Sequence, residues 1–169
     1  MVKNNGNLNV NNLGLIFKGG KEMEFLMEDR RERLGRLGEE LVAKVLNGTL
    51  SYEKYDGEKD MVLGDGTYVE VKTQVRWKIS NCFTIDETVT NNNINKCLNV
   101  DRLIFVEPGL NNEIRIFEAI DRKYSIKSPR GKKTYCFGID DMKLIATVTD
   151  KDLCEEMISL SKTDRSWLI

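Results

Sequence analysis

The chain contains no histidine, which removes Ser-His and Cys-His catalytic pairs and any His-containing zinc site from consideration. Its four cysteines, Cys82, Cys97, Cys136 and Cys154, are scattered without CxxC spacing. Neither a zinc cluster nor a disulfide framework is therefore expected, and a reducing interior is. No apolar run approaches the roughly 20 residues of a membrane span, and the first residues do not read as a signal peptide. The expectation is a cytoplasmic, intracellular protein with no membrane partner. An excess of charge of either sign is also lacking: 26 Lys and Arg stand against 27 Asp and Glu, a net charge of −1. Without a global cationic field, binding to a polyanion has to come from local patches.

What is present suits one compact domain, since 169 residues at 40% hydrophobic content suffice for a single core and fall short of two. Residues 1–20 form an arm rich in Asn and Gly. Its one apolar run, Leu13-Gly14-Leu15-Ile16-Phe17, could add a strand to a partner's sheet edge and so give a homodimer. The body is expected over 21–163, followed by a tail, 164–169, apolar enough to pack on the body or on a partner.

The most informative stretch is 57–74, GEKDMVLGDGTYVEVKTQ. Asp60 heads an apolar run, Met61-Val62-Leu63, and Gly64-Asp65-Gly66 supplies the glycines of a tight reversal, so the stretch reads as a β-hairpin. In its second strand Val69, Val71, Thr73 and Val75 point to one face, and Tyr68, Glu70, Lys72 and Gln74 to the other. Glu70 and Lys72 are then roughly 7 Å apart along the strand, at about 3.3 Å per residue, and the hairpin returns Asp60 towards them. Two carboxylates converging on one point repel unless a cation lies between them, which suits a hard, oxygen-seeking ion such as Mg2+ or Mn2+. A lysine beside them can orient a water or meet a phosphate, and the set together has the parts of phosphodiester hydrolysis. A solvated hairpin face with alternating Glu and Lys is the plainer alternative.

Asp60, nine residues, then Glu70-Val71-Lys72 resembles the signature of the PD-(D/E)XK nucleases, the restriction-endonuclease-like superfamily. The pattern departs from it in lacking the proline, with Lys59 before the aspartate. Upstream, Gly35-Arg36-Leu37-Gly38-Glu39 is similar to the first helix of archaeal Holliday-junction resolvases and of a small bacterial nuclease-like family, and the resemblance covers about residues 35–75. It implies that Asp60 and Glu70 bind metal together with the Val71 carbonyl. Glu39 would face the same ion from the helix, and Lys72 would position the attacking water. Gln74, on the same face, could support the water or a phosphate. Asp56 is a substitute acid ranked behind Asp60.

A helix is predicted over Lys21–Leu46, with Leu34, Leu37, Leu41 and Val45 as its apolar stripe and Asn47-Gly48 as its end. Gly35 and Gly38 each cost about 1 kcal/mol relative to Ala in a helix, which points to a close backbone approach beside them. Glu39 lies nearer the Val42/Leu46 flank than Glu40 does. Strands are expected at Leu50–Tyr55, Cys82–Ile85, Asp101–Glu107, Glu113–Ala119, Tyr135–Ile139 and Lys143–Val148. A poor helix is expected over 88–99, and a last helix capped by Thr149.

Two stretches offer contacts for nucleic acid. Arg76-Trp77-Lys78 follows the strand of Glu70, with charge for phosphate and a ring for stacking. Residues 122–133, RKYSIKSPRGKK, hold six Lys or Arg and no acid, among them Lys127, Arg130, Lys132 and Lys133.

The element order predicts an α/β fold, a mixed central β-sheet flanked by helices with a restriction-endonuclease-like core. The function expected is a Mg2+- or Mn2+-dependent nuclease hydrolysing DNA. Branched or junction DNA is the first substrate expected and sequence-specific or homing-type cleavage the alternative. A non-catalytic nucleic-acid-binding module on the same fold is the reading from another class.

Overall fold

The computed structural model describes residues 21–51, 58–87, 93–128, 131–163 and 165–169. The Asn-rich arm, Asp56, the 88–92 part of the expected short helix, most of the strand expected over Leu50–Tyr55, and Arg130 lie outside them.

Helix α1 runs Lys21–Leu46 and ends where expected, on Asn47 in the left-handed region (φ 54°), while the Gly48 N–H donates to the Ala43 carbonyl at 2.9 Å. Its buried face is Leu34, Leu41 and Val42, whereas Val45, expected in the stripe, is 37% exposed. The helix is turned by a contact at Gly38, where a Cβ would lie 1.8 Å from Thr73 Oγ1. The close approach expected of the two glycines is therefore made at Gly38 alone, since a Cβ on Gly35 would meet nothing within 4 Å.

Strands β1 (Thr49–Leu50), β2 (Met61–Val62) and β3 (Tyr68–Thr73) form an antiparallel meander. The reversal between β2 and β3 carries Gly66 at φ 88°, with Leu63 N–H donating to the Thr67 carbonyl at 3.0 Å. Strand β4 (Cys82–Asp86) and helix α2 (Asn93–Asn99) follow, and β5 (Arg102–Pro108) then returns parallel to β3. Next come β6 (Glu113–Ala119), β7 (Ser125–Lys127), β8 (Thr134–Gly138), β9 (Met142–Thr149) and helix α3 (Lys151–Ser161). The main sheet has the order β1-β2-β3-β5-β6-β9 and is antiparallel except at β3/β5. The fold is thus mixed α/β, with a mostly antiparallel mixed sheet flanked by helices.

Both faces of that sheet are covered. Val69, Val71, Ile104, Val106, Ile114 and Ile116 pack with Leu34, Leu41 and Val42 of α1 and with Cys154, Met157 and Ile158 of α3. On the opposite face Leu103, Phe105 and Phe117 meet Ile94 and Cys97 of α2 and Phe83, Tyr135 and Phe137 of a second, three-stranded sheet, β4-β8-β7. Phe83 stacks on Phe105 with ring centroids 4.6 Å apart. With both faces covered, β5 is buried along almost its whole length, as a continuous apolar strand should be.

Two local expectations change, and one is settled. Part of the basic stretch 122–133 is the edge strand β7 rather than a loop. The cap of α3 is Asp150, whose carboxylate accepts from the Leu153 N–H at 3.0 Å, because Thr149 is still paired in β9. The tail packs on the body: Leu168 is buried, and the Ile169 carbonyl accepts from Arg115 at 2.6 Å. Among the described residues no helix is long and apolar enough to cross a membrane.

Candidate carboxylate–lysine site

The site lies at the β2/β3 edge of the main sheet, on one side of an open cleft of about 810 Å³. Strand β2 starts only at Met61, so the β3 backbone beyond Val69 has no strand partner on that side. Asp60 supplies one: its Oδ2 accepts the Val71 N–H at 2.8 Å, while its own N–H donates to the Val69 carbonyl at 2.9 Å. A carboxylate is thereby fixed where the ladder ends. Because the N–H and C=O of one strand residue point to the same side, the Val71 carbonyl faces this edge too.

Glu70, on the opposite face of β3 from Val69 and Val71, is fully buried. Its Oε1 is paired with the Lys72 ammonium, and its Oε2 lies 2.7 Å from Lys96 Nζ. The same Lys96 Nζ donates to Asp60 Oδ1, also at 2.7 Å. Asp60 and Glu70 therefore share a cation, and that cation is a lysine of α2. Lys96 did not figure among the sequence candidates. The signal for it was the arithmetic of charge: two converging acids need more than one cation, and Lys96 is the sole basic residue between Lys78 and Arg102. The helix delivers it because Ile94, Cys97 and Val100 anchor α2 in the second core, leaving Lys96 on the flank turned to the sheet edge.

Burial pushes the Glu70 carboxyl up, against the pull of Lys72 downwards. Burial alone would lower the pKa of Lys72, but the adjoining Glu70 charge outweighs it and holds the ammonium above its ordinary range. Lys96 is raised in the same way, with burial opposed by Glu70 and Asp60. Both lysines are thus cations at neutral pH, able to donate and to neutralise, and not to take a proton. Glu39, on α1, lines the same cleft, with Arg36 Nη1 at 3.3 Å. Burial, reinforced by the negative charge of Asp60, pushes its pKa up to about 7, and Arg36 pulls the other way. Among the described residues no group of three or more Cys, Asp or Glu is gathered closely enough to hold an ion as it stands. The converging pair is Asp60 and Glu70, and Glu39 stands back from it.

Gln74 faces the cleft, but its amide is used at both ends: Nε2 donates to the Thr84 carbonyl at 3.0 Å and Oε1 accepts the Thr84 N–H at 2.9 Å. In place of supporting a water or phosphate, it ties β4 to the end of β3 as a strand neighbour would. Arg76 is corrected too. It is 5% exposed, with Nε donating to Glu107 at 2.8 Å and Nη1 to Asn81 at 2.9 Å, so its charge is spent inside the protein. Trp77 is 53% exposed and lines the cleft. Lys78 is exposed and donates to the Ser166 carbonyl at 2.8 Å. Lys127 is exposed on β7, Lys132 pairs with Asp86 at 2.9 Å, and Lys133 lies 3.6 Å from Glu87. None of the described residues of 122–133 lines the cleft, whose basic rim is Arg30 and Arg31 of α1 with Lys162 after α3. Arg30 and Arg31 are neighbours in the chain, but only the fold joins them to Lys162 and to the cleft, since α1 and the end of α3 meet there.

No family model matches the chain, and no curated protein matches it.

Proposed function

We propose that this protein is a divalent-metal-dependent nuclease with a restriction-endonuclease-like core, hydrolysing phosphodiester bonds in DNA. The observation that carries the reading is the convergence of Asp60 and Glu70 on one cation, with Lys72 bound beside them at the rim of a cleft. The order of a helix, an antiparallel meander bearing the acids, a strand of the second sheet, a second helix and a strand parallel to β3 supports the fold part of the reading.

Two carboxylates that share a cation are hard oxygen donors of the kind Mg2+ or Mn2+ takes, so the pair fits such an ion, with the Val71 carbonyl on the same edge. When bound, the ion would act as a Lewis acid on the phosphate and lower the pKa of a coordinated water. Asp60 and Glu70 would hold the ion, and Glu39, which lines the same cleft, would bind it directly or through water. Lys72, fixed as a cation by Glu70, orients the attacking water and offsets charge developing on the phosphate. Arg30, Arg31, Lys162 and the Trp77 ring supply the cationic, stacking wall that a polyanion needs.

The test is a panel of four-way junction, flap, single strand and plain duplex incubated with Mg2+ or Mn2+. Cleavage of at least one form is expected, and Lys72→Ala should abolish it with the fold intact by circular dichroism. Failure of the wild type on every DNA and RNA form would remove the enzymatic reading. One observation favours a second reading, a nucleic-acid-binding module without catalysis: Lys96 already neutralises the acid pair without an ion. That reading expects tight DNA binding indifferent to Mn2+.

A further inference from the structure

The cation position of the site is filled from within. Lys96 Nζ lies 2.7 Å from Asp60 Oδ1 and 2.7 Å from Glu70 Oε2, and Lys72 completes the neutralisation of Glu70. Two acids and two ammonium groups leave no net charge. An ion of charge +2 cannot be added at the same point, because it would need the same two oxygens and would lie within contact distance of a full positive charge. Binding of an ion by Asp60 and Glu70 therefore requires the Lys96 head group to leave.

The surroundings permit that departure. Lys96 is carried on a flexible four-carbon stem and lines the open cleft, so its ammonium has solvent and space to move into without rebuilding the core. Its helix, α2, has seven residues, three of them Asn, and is intrinsically weak. Glu70 Oε2 is also buried, and Lys96 Nζ stands against it at 2.7 Å.

We propose that Lys96 is the protein's own occupant of the metal position, and that a divalent ion enters this site by exchanging with the Lys96 ammonium. The inference rests on the metal-dependent reading above. It makes Lys96 a competitor of the ion, unlike Lys72, which stays paired with Glu70. The displaced ammonium lies at the mouth of the cleft, where a phosphate gives it a new partner. Ion and polyanion should then each strengthen the binding of the other.

The test is titration of the intact protein with Mn2+ by calorimetry and by electron paramagnetic resonance, comparing wild type with Lys96→Met and Lys96→Gln. Both variants should bind Mn2+ more tightly than wild type, by about ten-fold or more, as expected when a competing unit charge is removed from the site. A variant that folds only once Mn2+ is added, followed by circular dichroism, supports the same conclusion, since the ion then does what the ammonium did. Equal or weaker Mn2+ binding by the variants, with the wild type binding, overturns the exchange and leaves the nuclease reading standing. If neither wild type nor variant binds Mn2+, or both variants stay unfolded at saturating Mn2+, the exchange is overturned, and in the first case the metal-dependent reading falls with it.

Discussion

Two buried glutamates on adjacent strands, Glu70 on β3 and Glu107 on β5, meet the same problem and are handled differently. Glu70 is 0% exposed and held by two lysines, Lys72 and Lys96. Glu107 is 1% exposed and held by two arginines, Arg76 through Nε at 2.8 Å and Arg115 through Nη2 at 3.0 Å. Guanidinium groups are planar, fork-shaped and permanently charged, and here they also bond Asn81 and the Ile169 carbonyl. The Glu107 cluster is thus cross-linked to a loop and the tail. Ammonium groups are point charges on flexible stems, and the Glu70 cluster has a second carboxylate, Asp60, and a cleft on one side. A buried carboxylate sealed by arginines reads as architecture, and one balanced by lysines beside a cleft reads as a place for exchange.

The comparison can be broken most directly by removing each charge in turn. Glu107→Gln leaves the buried Arg76 and the partly buried Arg115 guanidinium groups without a counter-charge and should cost about 3–5 kcal/mol in urea unfolding. Glu70→Gln removes one of two mutually repelling acids and leaves Asp60 to pair Lys96, while the Lys72 ammonium that loses its partner lines the open cleft, so the cost should be smaller, about 1–3 kcal/mol. Equal losses, or the reverse order, would show that the Glu70 cluster is as structural as the other.

Glu39 sharpens the contrast through pH. Its pKa is near 7 in the folded protein, raised by burial and Asp60, against 4.5 for the free side chain. Between those values the unfolded chain has lost the proton that the folded protein keeps, so stability falls as pH rises from about 4.5 to about 7 and is flat above. Glu39→Gln removes this cost and should stabilise the ion-free protein by on the order of 2 kcal/mol at pH 8, with the gain vanishing below pH 4.5. Melting curves at the two pH values decide it, and a gain independent of pH would remove Glu39 from the electrostatics of the site.

The smallest effect concerns Gln74. If its amide serves as a strut to Thr84, Gln74→Ala should cost about 1–2 kcal/mol for two backbone hydrogen bonds lost at a half-buried position. Cleavage by the surviving folded protein should change little. A large loss of cleavage at unchanged stability would return Gln74 to the chemistry.

Much of this was legible in the chain. The β2/β3 hairpin follows from Gly64-Asp65-Gly66 between apolar runs, and the alternation from Val69 to Thr73 assigns Glu70 and Lys72 to one face. Asn47 closes α1, and Glu39 rather than Glu40 lines the cleft. These are consequences of local periodicity. The burial of Arg76, the clamp of Gln74 on Thr84 and the basic rim of Arg30, Arg31 and Lys162 were not legible, because each depends on which distant segment comes to lie opposite. The exposure of Val45 in the apolar stripe of α1 has the same reason, since the contact between Gly38 and Thr73 sets how the helix turns.

By itself, then, the sequence determined the elements and brought Asp60, Glu70 and Lys72 within reach of one another, because a hairpin is a short-range object governed by turn residues and a period of two. Only the tertiary structure decided what faces them. It buried Glu70 beside α2, spent Arg76 on Glu107, and brought Lys96 across from α2 to fill the space between the acids. Buried charges must be balanced wherever the fold places them, and the balancing partner is chosen by packing between segments far apart in the chain.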